Sequence, residues 1–292
     1  METHRCETMP ENRAIIFHHD DADGRCAAAI MAAHLTELWC SPVEFHSINY
    51  KDKVPTDIIT QHDVVALVDF SFKPDDMERV RAAASRVIWC DHHVTAKDYG
   101  YNDLSGYRDF SDGGLAGCEC TWRWCHPDKP IPPGIMLLGD YDSWRMAHAP
   151  ACVHLHEGLK LEDQDPASPN SVWGRLIQGD YAPIIAAGEY ACRYRNNYCR
   201  NILESNSYHT VIGKTHSYDA VAVNLYGFGS AAFGDLFGRV PVCIAYIHDG
   251  RQFTVSLYSK MVDVGAIAKE YGGGGHKGAA GFVCETLPFA WR

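Results

Sequence analysis

The first half of the chain alternates between short apolar runs and longer mixed stretches. Ala14–Phe17 (AIIF), Val64–Val68 (VVALV) and Val87–Cys90 (VIWC) are uninterrupted apolar runs, each followed by polar residues. Runs of four or five without a polar break fit strands buried on both faces. Between the first two, Arg25–Leu38 (RCAAAIMAAHLTEL) is Ala-rich, with apolar positions recurring at helical spacing. Pro74 and Asp75 are start signals for a helix over Asp75–Ala84. This βαβα order predicts a parallel sheet covered by helices. Gly113, Gly114 and Gly117 mark a loop, and Pro127–Pro133 another. Ile135–Leu138 (IMLL) fits either a strand or a helix.

Residues 157–172 are polar and contain proline, as a surface loop would be. Ala182–Leu203 then reads as one long helix with a basic, Tyr-rich face (CRYRNNYCRNIL). Beyond it, His209–Ile212, Ala220–Asn224, Val242–Ile247 and Gln252–Leu257 are short strand-like runs. Helical stretches at Ala231–Phe237 and Val264–Glu270 interleave with them. The pattern predicts an α/β protein with an N-terminal parallel-sheet domain over 1–184, a helical linker over 185–207 and a smaller α/β domain over 208–292.

Composition narrows the function. Of 292 residues, 46% are hydrophobic and 22% charged, which is globular usage and not that of a disordered chain. A net charge of −11 argues against sequence-blind binding to long nucleic acid, which needs many phosphate-neutralising cations. A short anionic substrate at a locally cationic centre stays compatible. No apolar run approaches membrane-spanning length, and METHRCETMPENRA lacks the apolar core of a secretory leader. Twelve cysteines without a C-x-x-C pair then point to a reducing cytoplasm. Cys118, Cys120, Cys125 and His126 lie close together, but their spacing is not a usual zinc pattern, so packing is the expected role.

Acidic and imidazole groups cluster at the ends of the apolar runs. In F-H-H-D-D-A-D-G, His19, Asp21 and Asp23 sit at i, i+2 and i+4. In an extended segment they would share one side, as the ligands of a hard cation do. Asp69 follows VVALV. Asp91, His92 and His93 follow VIWC, where the acid can orient one ring through its second nitrogen. Asp140 follows IMLLG, with Asp142 two residues on as an alternative ligand. In an open α/β sheet, functional groups gather at the carboxyl ends of the strands. Two histidines and four or five carboxylates exceed one ion's needs and suit two divalent ions sharing a carboxylate. The set contains no cysteine, which disfavours thiophilic metals. Near the C-terminus, Y-G-G-G-G-H-K-G-A-A-G-F (271–282) offers backbone N–H groups, His276 and Lys277 to an anion. Lys277 is followed by Gly278, so this is no P-loop. The small residues there also permit close packing.

Taken in order, H-x-D-x-D-G, a strand-terminal Asp, D-H-H, a later Asp and a C-terminal G-G-G-H-x-x-A-A-G resemble the DHH/DHHA1 phosphoesterases. HHDDADG, VDFS and DYDSW look most like the branch of nano-RNase B-like oligoribonucleases. The resemblance implies that His19 and Asp21 hold one manganese, that Asp23, His92 and Asp140 hold a second, and that Asp69 bridges them. It implies that His93 faces the substrate phosphate, and that Gly273, Gly274, Gly275, His276 and Lys277 bind the phosphate end from the second domain, across an interdomain cleft. Magnesium or cobalt could replace manganese. Where many oligoribonucleases have arginine in S-L-R-S, this chain has Tyr258, so either Lys277, Arg251 or Arg145 takes over that contact or the substrate preference differs.

The expected activity is hydrolysis of very short RNA and linear dinucleotides such as pGpG and pApA to mononucleotides. Cyclic mono- or dinucleotide hydrolysis and phosphate release from pAp are the alternatives, and a sensor without turnover is a fourth reading. His93 and Asp69 are the expected catalytic pair. Tyr226, Phe228, Phe233 and Tyr258 either stack a base or pack in the core. A monomer and a homodimer are both compatible with the sequence.

Overall fold

The computed structural model describes residues 12–38 and 40–290. The chain divides into two compact units, one ending at Glu189 and the other starting at Tyr190.

The first unit contains β1 (Asn12–His18), α1 (Ala22–Leu38), β2 (Cys40–Ser47), α2 (Thr56–Ile59), β3 (Val64–Val68), α3 (Pro74–Ala83), β4 (Arg86–Cys90), α4 (Gly117–Cys125), α5 (Pro133–Asp142), α6 (Ala151–Leu159) and α7 (Trp173–Gln178). Its strands form a parallel sheet in the order β2-β1-β3-β4. Alternate residues feed two cores, as the period of a strand requires. Ile16, Ala66, Val68, Ile88 and Cys90 pack with α1, α4 and α5 on one face. Ile15, Phe17, Val65, Leu67 and Trp89 pack with Met77 and Val80 of α3 on the other. The predicted parallel sheet is therefore the observed one.

Two details differ from the sequence reading, and one that it leaves open is resolved. β2 is not expected from the sequence, because CSPVEFHS has no apolar run and contains Pro42. It lies at the sheet edge, where a missing N–H is tolerated. IMLL resolves as helix, inside α5. And α1 begins at Ala22, so Asp23 sits in its first turn, where the helix dipole favours an acid. Cys118, Cys120 and Cys125 are buried core residues of α4.

The helix α8 (Ala182–Asn206) runs from the first unit into the second. The second unit continues with β5 (Tyr208–Ile212), β6 (Tyr218–Asn224), β7 (Val242–His248), β8 (Phe253–Tyr258), α9 (Val264–Glu270), β9 (Gly274–Gly275) and β10 (Ala279–Cys284). Its sheet has the order β5-β6-β7-β8-β10-β9. β6 and β7 run parallel, and the other pairs are antiparallel. The helical stretch expected at Ala231–Phe237 is a 3-10 segment over Gly229–Leu236, broken at Gly234, whose φ is 47°. Among the described residues no helix is long and apolar enough to cross a membrane.

Candidate metal centre

The carboxyl ends of β1, β3 and β4 lie side by side, and each delivers polar groups just beyond its last residue. After β1 come His19 and Asp21, whose Nδ1 and Oδ2 are 2.6 Å apart. That carboxylate bond raises the pKa of the His19 ring. Asp23 is reached through the first turn of α1. It does not lie in the extended segment that the i, i+2, i+4 spacing implied, because the chain turns into the helix at Ala22. Its two oxygens accept N–H bonds from Gly117 (2.7 Å) and Cys118 (2.9 Å) at the start of α4.

Asp69, directly after β3, is buried with a backbone φ of 54°. A non-glycine residue rarely adopts that conformation, and when it persists the surroundings enforce it. Gly117 is part of that enclosure: a Cβ there would stand 2.5 Å from the Asp69 Cβ. Asp69 Oδ1 lies 3.2 Å from His92 Nε2 yet accepts no well-aligned hydrogen bond. Burial raises the Asp69 pKa, and the neighbouring Asp23, Asp21 and Asp142 raise it further.

After β4, Asp91 orients the adjacent imidazole. Its Oδ1 is 2.8 Å from His93 Nδ1, and its Oδ2 accepts from the Ser71 hydroxyl, which in turn accepts from the Trp89 indole N–H. Burial pulls the His93 ring downward most strongly, but the bond to Asp91 together with the negative charges of Asp91, Asp23 and Asp142 outweighs it and the net pKa is raised. Tyr50 closes one side, with its ring 5.7 Å from His93 and 6.1 Å from His19. Ser71 and Tyr50 carried no chemical signal in the sequence, since a serine and a tyrosine in loops look ordinary.

The fourth contribution comes from α5. Asp142, in its last turn, has Oδ2 3.5 Å from His92 Nε2. Burial pushes its carboxyl up to about 8, reinforced by Asp23 and Asp21. Asp140, the expected ligand, points elsewhere. It accepts backbone N–H bonds from Ala147 and His148 and lies 3.6 Å from Arg145 Nε. The two acids are two residues apart on a helix, so they face different directions. Asp140 fixes the loop after α5, and Asp142 joins the cluster. Arg145, expected to touch substrate, is likewise committed to the fold. It donates to Glu119 Oε2 (2.7 Å) and to the Gly114 carbonyl (3.0 Å).

Three overlapping donor sets result: His19, Asp21 and Asp69; Asp69, His92 and His93; and Asp23, His92 and Asp142. Asp69 and His92 each belong to two of them. Among the described residues, no Lys or Arg forms an ion pair with Asp21, Asp23, Asp69 or Asp142. Four carboxylates gathered without a cation, one with an unbonded buried oxygen, fit divalent ions with oxygen and imidazole ligands.

The glycine-rich segment belongs to the second unit. Gly274 and Gly275 pair with Gly281 and Ala280 of β10. A Cβ at Gly273 would stand 2.1 Å from the Gly281 carbonyl oxygen, so close strand packing demands glycine there. The N–H groups of Gly273 and His276 bond to the carbonyls of Ala268 and Ala279, which takes two of the expected anion donors. The His276 and Lys277 side chains are exposed.

A parallel sheet whose strand ends converge on carboxylates and imidazoles defines the class of the first unit, and comparison with known proteins adds a family likeness. Residues 13–138 match the DHH family, N-terminal domain. This match lies within the first unit. The chain is also 26% identical over 264 residues to an uncharacterized protein of Acanthamoeba polyphaga mimivirus. That match covers 83% of this chain and 58% of the viral protein, so the chain spans little more than half the length of that relative. Among solved structures it is similar to an exopolyphosphatase-related protein from Bacteroides fragilis, with a TM-score of 0.53, 13% identity, and coverage of 93% of this chain and 86% of that one. It is similar to a pGpG-specific phosphodiesterase from Vibrio cholerae, with a TM-score of 0.52, 13% identity, and coverage of 94% and 93%. These likenesses establish a shared fold.

Proposed function

We propose that this chain is a divalent-metal-dependent phosphodiesterase that hydrolyses very short oligonucleotides, including linear dinucleotides such as pGpG and pApA, to mononucleotides. The observation that carries the reading is the convergence of Asp21, Asp23, Asp69 and Asp142 with His19 and His92, without a paired Lys or Arg among the described residues. The fold shared with a pGpG-specific phosphodiesterase supports the substrate class.

His19, Asp21 and Asp69 would hold one cation, and Asp23, His92 and Asp142 a second, with Asp69 shared between them. Manganese is the preferred ion, because imidazole and carboxylate ligands are combined. Bound there, the cations supply an acidified water and offset charge on the phosphate oxygens. The remaining work falls to the chain. Asp91 accepts from the His93 Nδ1–H, and the cationic form of the ring carries a second proton at Nε2 that the departing sugar oxygen takes up, leaving the ring neutral. Tyr50 and Phe70, whose rings lie 4.9 Å apart, wall one side of the site and limit water access. His276 and Lys277, exposed in the second unit, offer an imidazole and an ammonium group to an anion.

The test is a panel assayed with Mn²⁺: pGpG, pApA, cyclic di-GMP, cyclic di-AMP, pAp and an RNA ladder from two to ten nucleotides. Preferred cleavage of the linear dinucleotides to mononucleotides is expected. Turnover of the cyclic compounds or of pAp alone would overturn the assignment.

A further inference from the structure

The loop that follows α5 leaves one large ring in water beside the metal centre. Trp144 is 69% exposed, whereas Trp89, Trp122 and Trp173 are buried. It stands two residues after Asp142, whose carboxylate joins the cluster next to His92. Two residues of chain reach at most about 7 Å, so the indole is anchored at the edge of the cluster. All of these residues belong to the first unit.

The backbone beneath the ring is held, not slack. Trp144 has a φ of 54° and Met146 of 52°, two non-glycine residues in left-handed backbone within three positions. Such backbone persists only where the surroundings enforce it, and it gathers at ligand sites. Here the Trp144 N–H donates to the Tyr141 carbonyl (3.1 Å) and the Met146 N–H to the Asp140 carbonyl (3.2 Å). Asp140 holds the N–H groups of Ala147 and His148, and Arg145 is tied to Glu119 and Gly114. The ring is tiered as well. Trp144 stacks on Tyr141 at 6.1 Å and 27°, and Tyr141 on His156 at 3.8 Å and 16°.

We infer that the Trp144 ring is a stacking platform for the base of a nucleotide whose phosphate lies at the metal centre. An indole that stays in water gains little from packing. It does offer a flat π-face fixed in place before a ligand arrives, which lowers the ordering cost of binding. Stacking asks nothing more of a base than its own π-face. A phosphate ester held by the cations carries its nucleoside towards the edge of the cluster, where this ring stands. A docked protein would instead need a contiguous apolar patch of some hundreds of Å², not one ring between Ser143 and Arg145. The inference rests on the metal-centre reading above and names a residue that would make the site prefer nucleotides over other phosphate esters.

The test titrates the full chain in Mn²⁺ with two ligands that share a phosphate, GMP and ribose 5-phosphate, and reads binding by calorimetry. Both offer a phosphate to the cations, but only GMP carries a base. The parent is expected to bind GMP roughly tenfold or more tighter than ribose 5-phosphate. W144A should lose that preference, and W144F, which keeps a ring, should retain most of it. A tryptophan with a structural role alone would lower the melting temperature and weaken both ligands alike when replaced, and that result would overturn the platform. So would equal affinities in the parent, or a preference that survives in W144A. A dimer in sedimentation that W144A dissociates would overturn it too, since a second copy would then cover the ring. Base-dependent binding that W144A abolishes, without cleavage of pGpG, leaves the platform standing and removes the hydrolase reading. Cleavage of pGpG with equal binding of the two ligands does the reverse.

Discussion

His93 and His92 are neighbours in sequence but have different partners. His92 Nε2 faces Asp69, Asp23 and Asp142, whereas His93 Nδ1 is tied to Asp91. His93→Ala is therefore expected to lower turnover roughly 10²-fold or more while the metal content of purified protein stays near that of the parent. Metal analysis showing a lost ion would instead move His93 among the ligands. Asp140 and Asp142 give a second contrast. Asp142→Asn should reduce bound manganese and activity together. Asp140→Asn should leave metal affinity nearly intact and lower thermal stability, because it weakens the bonds to Ala147 and His148. Burial and repulsion from its neighbours raise the Asp69 pKa, so they disfavour its charged form. Asp69→Asn keeps the shape and tolerates the positive φ. In EDTA it should melt about 2–4 °C above the parent, and it should be inactive with Mn²⁺. The motif residues of strand ends 1, 3 and 4 were legible in the sequence. The choice of Asp142 over Asp140 was not, because it depends on which way a helix faces, and the segment fitted strand as well as helix.

At the level of elements, α4 works as a prop. Its first N–H groups hold Asp23, and Gly117 gives Asp69 the room its backbone needs. Gly117→Ala would force a Cβ to within 2.5 Å of the Asp69 Cβ. We expect a stability loss of about 1–3 kcal/mol by denaturant titration, and a fall in activity larger than the unfolded fraction explains. An activity that tracks stability alone would remove α4 from the account. Apolar blocks made β1, β3, β4 and α9 readable, since continuous burial leaves an unmistakable pattern. β2 escaped because an edge strand with Pro42 needs neither alternation nor an apolar run. Gly113, Gly114 and Gly117 looked like a single loop, yet Gly117 opens α4, and only the close approach of Asp69 explains it.

Across the whole molecule, cysteine serves as a small core residue. Nine of the ten cysteines whose side chains are described are buried. Burial pushes the Cys90 thiol up to about 12 and raises those of Cys120 and Cys125 as well. Iodoacetamide at pH 8 should therefore leave Cys90, Cys120 and Cys125 unmodified in the native protein and label them in urea, as peptide mass analysis would show. Rapid native labelling of Cys90 would contradict the packing of β4. The central claim is that residues from four separate stretches grip neighbouring cations. Anomalous diffraction at the manganese edge from crystals grown with Mn²⁺ tests it most directly. Two adjacent peaks flanking the Asp69 carboxylate are expected, one beside His19 and Asp21 and the other beside His92, Asp23 and Asp142. A map with no peak at Asp69, or with manganese bound only at distant surface carboxylates, would contradict it.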